Sequence, residues 1–169
     1  MTDTVTAFTI PPVVKTVTVR CVPATAFRVF TSEIGQWWPL ADFSMGAATD
    51  CHFEPFVGGR LYQVDQSGAE TVWGHVLAWD PPHAMAFSWQ VQCSPEEAQQ
   101  IDVTFRPVAG GTEVKLAHAG WDKLKTGGAE RRQSYDGGWV AVFEQRFKAY
   151  ADQAEPFVRP AEPASGDKE

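Results

Sequence analysis

The middle of the chain consists of short runs in which apolar and polar side chains alternate. Glycine or proline interrupts these runs, as at Gly58-Gly59 and Pro81-Pro82, and both residue types favour turns for backbone reasons. Alternation with a period of two is typical of strands that bury one face. The six predicted strands cover residues 51–54, 60–65, 70–79, 84–91, 99–107 and 112–118. Connections this short allow only antiparallel neighbours.

A further strand and two short helices precede this region. Valines alternate with polar side chains over residues 15–21 and predict the first strand. Pro23 is tolerated in the first turn of a helix, and Phe27 and Phe30 follow it on one helical stripe. A second short helical turn is expected to end just before Pro39.

The last regular element is a long helix, predicted over residues 133–154. Its four aromatic rings fall at spacings of four, four and three, which places them on one face: Trp139, Phe143, Phe147 and Tyr150. That face needs an apolar partner, and the inner side of the sheet is the large apolar surface. The polar, glycine-containing segment 120–132 is expected to be a flexible loop.

These elements predict an α+β fold with a curved antiparallel sheet of about seven strands wrapped around the long C-terminal helix. Two short helices follow the first strand. A chain of 169 residues fits one domain, which we place at residues 13–155. Residues 1–12 are expected to form a flexible N-terminal tail, and residues 156–169 a disordered C-terminal tail. Between helix and sheet, such a shape tends to leave a cavity.

Composition and charge narrow the classes of function. The net charge is −7, which disfavours nucleic acids and anionic membranes as partners because both require a basic footprint. The N-terminus has no signal-peptide pattern, and no apolar run is long enough to cross a membrane. Three cysteines are an odd number, and reduced thiols in a cytoplasmic protein are the expected state.

The aromatic residues have two interpretations. Seven Trp and eleven Phe are more large rings than a closed core of this size requires, so they indicate either an aromatic core or an aromatic-lined cavity. The adjacent Trp37 and Trp38 cannot both be buried on one helical face, and one of them is expected to cap the cavity. Gly137-Gly138, early in the long helix, indicates either close packing or a flexible gate beside the loop.

Two histidines are the candidate catalytic residues. By alternation His118 shares the face of Val114 and Leu116, beneath the long helix, and could orient a ligand or move a proton. The alternative is a buried histidine that bonds to a backbone group or water. His75 is expected to share a strand face with Trp73.

Other chemistry finds little support in the sequence. Cys51 and His52 are adjacent on a strand and point to opposite faces, so they cannot hold one metal ion together. There is no nucleophile elbow, phosphate-binding loop or dinucleotide fingerprint. We therefore expect no metal and no cofactor.

The order of short motifs resembles a known superfamily. The motifs are Trp37-Trp38-Pro39, Gly58-Gly59, Trp73-Gly74-His75-Val76 with Asp80-Pro81-Pro82, Phe87-Ser88-Trp89, Val103-Thr104-Phe105, Gly110-Gly111-Thr112-Glu113-Val114, Leu116-Ala117-His118 and Gly137-Gly138-Trp139. In this order they resemble the START-like (SRPBCC, helix-grip) superfamily, and within it the AHSA-type domains similar to the C-terminal domain of the activator of the heat-shock-protein ATPase. The resemblance implies the helix-grip fold and, for most members, binding of small apolar molecules.

The leading hypothesis is a cytoplasmic protein, monomer or homodimer, that binds a small apolar or aromatic ligand between sheet and helix. It is expected to be a binding protein more than an enzyme. The expected ligand-binding residues are Trp37, Trp73, Phe87, Trp89, Phe105, His118, Trp139 and Phe143. One rival is a cyclase or hydrolase of the same shape that uses His118 or His75. The other is a protein-binding module of co-chaperone type, with a chaperone as partner.

The cavity hypothesis carries a prediction about stability. A ring that faces a cavity has fewer contacts to lose on truncation than a fully packed ring. Phe87→Ala and Phe143→Ala are therefore expected to cost less than about 2 kcal/mol, and Phe27→Ala more.

Overall fold

Seven antiparallel strands form one continuous sheet in the computed structural model, which describes residues 10–158. The strands are β1 (Val13–Val19), β2 (Ala48–Phe53), β3 (Arg60–Asp65), β4 (Glu70–Asp80), β5 (Ala84–Trp89), β6 (Gln99–Val108) and β7 (Gly111–Ala119). Their order is β1-β7-β6-β5-β4-β3-β2. Strands β2 to β7 form a meander, and β1 pairs with β7 at its end. The predicted α+β helix-grip fold is confirmed.

The alternation of side chains sets the inner and outer faces of most strands. In β6, Ile101, Val103 and Phe105 are buried while their neighbours Asp102 and Thr104 are exposed. These strands follow the pattern read from the sequence, because an unbroken pleat keeps every second side chain on one face.

Strand β4 departs from simple alternation because it carries two bulges. Its register against β3 shifts at Trp73, and its register against β5 shifts at Leu77. An extra residue reverses the face of the side chains beyond it and bends the strand. Trp73 and Val76 are therefore buried, while His75 and Leu77 are exposed. The expected common face of Trp73 and His75 was wrong for this reason.

Two short helices lie between β1 and β2. Helix α1 (Pro23–Thr31) begins with its proline in the first turn and buries Phe27 and Phe30. Helix α2 (Ile34–Trp37) follows almost at once. The indole Nε1 of Trp37 donates a hydrogen bond to the carbonyl of Val29 at 2.8 Å, which fixes the two helices against each other.

The C-terminal helix has three parts that follow one another without a break. These are α3 (Gly128–Trp139), a π-helical segment (Val140–Phe147) and α4 (Lys148–Ala151). The helix begins five residues before the predicted start at 133 and ends three residues before the predicted end at 154.

The predicted flexible loop 120–132 is thus largely ordered. A 3-10 turn covers Trp121–Lys123, and the indole of the fully buried Trp121 donates to the carbonyl of His118 at 2.9 Å. At Gly128 the backbone of Trp121 comes so close that a Cβ would not fit. Glycine therefore lets the first turn of α3 approach the backbone of Trp121.

Both ends of the described chain contact the domain. The N–H of Ile10 donates to Asp122 at 3.1 Å, and Arg132 donates to the carbonyls of Pro11 and Pro12. At the other end, Phe157 pairs with Cys21 in an isolated antiparallel bridge. Residues 10–12 and 156–158 therefore contact the rest of the fold. The rest of the predicted tails, 1–9 and 159–169, lies outside the described residues. In the described part, no helix combines the length and apolarity needed to cross a membrane.

Candidate functional site

The centre of the space between helix and sheet is filled by aromatic rings. The ring of Phe30 lies 5.4 Å from that of Trp37, 6.5 Å from Phe87, 6.1 Å from Phe105 and 6.3 Å from Phe143. All five rings are at most 3% exposed. Centroid separations of this size are those of directly packed aromatic side chains. Four of the expected ligand-binding residues, Trp37, Phe87, Phe105 and Phe143, therefore lie in a closed core.

A cleft of about 590 Å³ lies at one end of this core. The C-terminal helix forms one wall, the ends of β4 and β5 the floor, and the segment around Phe43 the opposite rim. The lining residues are Trp38, Asp42, Phe43, Ser44, Met45, Trp73, Trp89, Val91, Gln92, Thr126, Gly127, Glu130, Arg131, Ser134, Tyr135, Gly138, Trp139 and Val142. Three of the expected ligand-binding residues, Trp73, Trp89 and Trp139, are among them.

Four indoles belong to the apolar lining of the cleft: Trp38, Trp73, Trp89 and Trp139. The ring of Trp38 lies 5.2 Å from that of Trp73, 5.9 Å from Trp89 and 5.8 Å from Trp139. Trp38 is thus the member of the adjacent pair that faces the cleft, whereas Trp37 faces the core. The sequence analysis had placed Trp37 among the lining residues, because a pair of neighbouring indoles does not reveal which one turns inward.

Each of these indoles is fixed by a hydrogen bond from its Nε1. Trp38 donates to the carbonyl of Phe43 at 2.7 Å and Trp73 to Oε1 of Gln63 at 3.0 Å. Trp89 donates to the hydroxyl of Tyr135 at 2.8 Å. Trp139 donates to Nδ1 of His118 at 3.1 Å. Because the polar atoms are satisfied, the rings are held rigidly. The four indoles are at most 6% exposed, so each contributes only a small apolar area to the cleft and is otherwise packed in the core.

Besides Trp139, the helix contributes lining residues that were not predicted from the sequence. Arg131, Tyr135, Trp139 and Val142 are spaced by four, four and three, so they share one face of the helix. The same spacing rule had found the aromatic stripe from Trp139 onward. Extended toward the N-terminus, the rule includes Tyr135, which lies within the predicted helix 133–154, whereas Arg131 lies in the predicted loop 120–132.

Gly138 lies on this face and Gly137 does not. A Cβ at Gly138 would make ordinary contact with the ring of Phe43 at 3.5 Å, and a Cβ at Gly137 would meet nothing within 4 Å. Neither glycine is therefore required by close packing of the backbone. The absence of a side chain at Gly138 leaves space in the cleft.

His118 lies behind the cleft wall and not on it. Its side chain is fully buried, and its ring stacks on Trp121 at 4.1 Å. Nδ1 accepts the hydrogen bond from Trp139, so the ring proton sits on Nε2, which lies 3.3 Å from Oε1 of Gln99. Burial lowers the pKa of His118 from its ordinary 6.5 to about 3. The imidazole is therefore neutral at physiological pH and satisfied on both nitrogens.

Neither predicted catalytic histidine faces the cleft. His118 is enclosed by aromatic rings, and His75 is exposed on the outer side of β4 as a result of the bulge at Trp73. Tyr135 is a partly buried titratable group in the cleft wall. Burial raises the pKa of this phenol, although the hydrogen bond from Trp89 and the charge of Arg131 oppose the change. The phenol is protonated at neutral pH.

The described residues contain no cluster of three or more His, Cys, Asp or Glu side chains able to hold a metal ion. Cys51 and His52 are buried and exposed, respectively, as adjacent positions on a strand should be.

Comparisons with known proteins agree with this architecture. The anthrahydroquino-gamma-pyrone synthase Txn09 is 37% identical, with 83% of this chain and 97% of that chain covered and a TM-score of 0.59. A protein from Mesorhizobium loti is 19% identical, with 86% and 99% covered and a TM-score of 0.64. The Aha1 dimer from Colwellia psychrerythraea is 15% identical, with 87% and 100% covered and a TM-score of 0.59.

A search of curated proteins finds no match. The family model described as "Activator of Hsp90 ATPase homolog 1-like protein" matches residues 20–152. This range contains the sheet from β2 to β7, both short helices and the C-terminal helix. The chain belongs to the AHSA1 family.

Proposed function

We propose that this protein binds a planar, mostly apolar small molecule in the cleft beside the C-terminal helix. The observation that carries the proposal is a cleft of about 590 Å³ whose lining includes four indoles, each fixed through its Nε1. Small-molecule sites usually have roughly this volume, about 300–1,000 Å³, and an apolar lining with a few polar groups. Fixed aromatic faces favour flat ligands because stacking then costs no rearrangement of the site.

The comparison with Txn09 supports a fused aromatic ligand. That protein is a synthase of an anthrahydroquino-gamma-pyrone and is 37% identical over 83% of this chain. A tricyclic quinone is accordingly a suitable probe. We choose the neutral anthraquinone-2-carboxamide, which tests shape and apolar contact without a charge.

Binding of this probe should quench the tryptophan emission of the full chain, since four of its seven Trp line the cleft. At one hundred times its dissociation constant it should stabilise the fold by about 2.7 kcal/mol, seen as a higher melting midpoint. Gly138→Leu places a side chain in the cleft and should weaken binding at least about tenfold, a loss of about 1.4 kcal/mol.

Gly137→Leu is the matched control for that variant. It makes the same change one residue earlier in α3, where a Cβ meets nothing within 4 Å, and it gains the same helix propensity. Its affinity for the probe should equal that of the wild type. Absence of quenching in the wild type, or equal affinities of the two leucine variants, would refute a ligand site in this cleft.

A second candidate function is catalysis of ring closure in the same cleft. The hydroxyl of Tyr135 at the cleft wall favours it, together with the likeness to a pyrone synthase. The reaction class would be addition of a phenolic oxygen to a carbonyl of the same molecule, followed by loss of water. No role for His118 or His75 is proposed, because neither reaches the cleft.

An ortho-hydroxyaryl 1,3-diketone that closes to a γ-pyrone tests this second function. Wild-type protein should accelerate closure above the buffer rate, and Tyr135→Phe should lose about 10²-fold of that acceleration if the phenol transfers the proton. Tyr150→Phe is the control, because the Tyr150 hydroxyl donates to Glu33 and Tyr150 is not among the residues that line the cleft. No acceleration by the wild type would leave binding as the function.

The protein-binding alternative has weaker support than the cleft. Phe56, Val57 and Leu77 are 55%, 63% and 45% exposed, and the N–H of Gly58 bonds to the carbonyl of Val76, which brings the three together. Stable interfaces bury about 800 Å² on each partner, far more than three side chains offer. The proposal includes a cytoplasmic location, where free thiols such as those of Cys21 and Cys51 persist. A homodimer is compatible with the dimer described for the Colwellia relative.

A further inference from the structure

The polar end of the cleft is built from two side chains one helical turn apart. Arg131 and Tyr135 both line the cleft and occupy positions i and i+4 of α3, so their side chains are neighbours on the helix surface. Their proximity is also seen in the pKa of Tyr135, which the charge of Arg131 lowers against the effect of burial.

Tyr135 has a hydroxyl proton to donate. Its oxygen accepts the hydrogen bond from Trp89 at 2.8 Å, which orients the phenol and leaves the O–H free for another partner. Among residues 10–158, no group accepts that proton. The side chain is packed edge-on against Trp89 and His118, so the phenol is fixed in place while its donor stays available.

Arg131 is held at the mouth of the cleft by backbone carbonyls. Its Nη1 and Nη2 donate to Val91 at 3.4 Å and to Gln92 at 3.3 Å. Gln92 has φ of 58°, the one left-handed non-glycine residue in the described part of the chain. Such a conformation costs energy and is concentrated at functional sites. Here it lies in the loop whose carbonyls hold the guanidinium.

The guanidinium of Arg131 has N–H donors that remain available to a ligand. Two of its five N–H groups are used by the carbonyls, and three remain. The described residues provide no ion-pair partner for it within 4.0 Å. Asp42 and Glu130 are the carboxylates at the cleft, and both are exposed to solvent, where their effect on a bound charge is screened.

We infer that Arg131 and Tyr135 together bind an anionic oxygen of the ligand, so that the cleft selects flat aromatic molecules bearing a carboxylate or an ionised phenol or enol at one edge. The rings lie against the indoles of the cleft, and the charged oxygen lies between the guanidinium and the phenolic O–H. Hydrogen bonds to an ionised acceptor are about twice as strong as neutral ones. This inference rests on the proposed binding function and names its ligand class.

A matched pair of probes separates the two ideas. Anthraquinone-2-carboxylate and anthraquinone-2-carboxamide have the same rings and nearly the same shape, and only the first carries a charge. Titration of the full-length wild-type protein at pH 7, followed by tryptophan emission, should show at least about tenfold tighter binding of the carboxylate. Arg131→Gln should abolish that preference and leave the affinity for the carboxamide within about twofold.

Tyr135→Phe tests the second donor. It should weaken carboxylate binding about three- to tenfold and change carboxamide binding less. The controls are Arg132→Gln and Tyr150→Phe, which remove a charge and a hydroxyl from the same helix at positions that contact Pro12 and Glu33 and not the cleft. Both controls should keep the wild-type preference. Arg131→Lys, which keeps the charge, should retain part of the preference. Melting curves of all five variants identify any that fail to fold.

The outcomes are distinguishable. If neither probe binds to the wild type, the proposed function fails and this inference fails with it. If both probes bind with equal affinity, or if Arg131→Gln lowers both affinities equally, the cleft binds aromatic molecules but does not select an anion, and this inference alone is overturned.

Discussion

Replacing Phe143 by alanine should lower the free energy of unfolding by about 3–5 kcal/mol, the usual cost of removing a fully packed phenylalanine. The side chain is completely buried. Its ring stacks on Phe147 at 5.3 Å and meets Phe30 edge-on at 6.3 Å. Truncation therefore removes apolar contacts and leaves a void that the surrounding rigid rings cannot close.

The same cost is expected for Phe87→Ala and Phe27→Ala, measured by urea unfolding at constant m-value. Phe87 is 2% exposed and Phe27 is 5% exposed, so the cavity interpretation that separated them no longer holds. Phe43→Ala is the control. This ring is 39% exposed at the rim of the cleft, and its loss should cost less than about 1 kcal/mol. A small loss of stability in Phe143→Ala and Phe87→Ala, together with a large loss in Phe27→Ala, would instead indicate a cavity at the centre of the fold.

Acidification from pH 7 to pH 4.5 should destabilise the wild type by about 2–3 kcal/mol more than the variant His118→Gln. The pKa of His118 is near 6.5 in the unfolded chain and about 3 in the folded protein. Between these two values the unfolded chain binds a proton that the native protein excludes. Lowering the pH through this window therefore favours unfolding, and above pH 6.5 the group has no effect on stability.

Urea titrations of both proteins at the two pH values measure this difference. The carboxylates titrate alike in the two proteins. The pH dependence of the difference between their free energies of unfolding therefore reports on His118. Glutamine is chosen because its amide can still accept from Trp139 and approach Gln99. If the difference between the two free energies of unfolding is the same at pH 7 and at pH 4.5, the imidazole reaches solvent in the folded state.

The fold could be predicted from the sequence because the strands and the long helix each show a local pattern of apolar residues. Alternation in β6 and β7 and the aromatic spacing from Trp139 onward follow directly from the pleat and the helical turn. Trp73, Trp89 and Trp139 could be assigned to the site because each is a large ring on an inward face.

The rest of the site depends on features that local patterns do not encode. A bulge in β4 decides which way His75 points, and bulges leave little trace in residue type. The number of aromatic residues does not tell a filled core from a cavity, since that depends on how the rings interlock in space. The start of α3, and with it Arg131, escapes prediction because the first residues of the helix, from Gly128, are polar and glycine-rich. Tyr135 lies within the predicted helix 133–154, but no local pattern marks it as a lining residue.

The π-helical segment Val140–Phe147 lies where the C-terminal helix changes from lining the cleft to packing in the core. Its i→i+5 bonding makes wider turns than an α-helix, which keeps Phe143 and Phe147 stacked above one another. Arg131, Tyr135 and Trp139, before the segment, line the cleft together with Val142 at its start, whereas Phe143 and Phe147 pack in the core. Among homologous chains that take different ligands, we expect positions such as 131 and 135 to vary together with the ligand. Positions 143 and 147 should accept only aromatic or large aliphatic side chains, and a one-residue insertion or deletion within 140–147 would turn one half of the helix relative to the other.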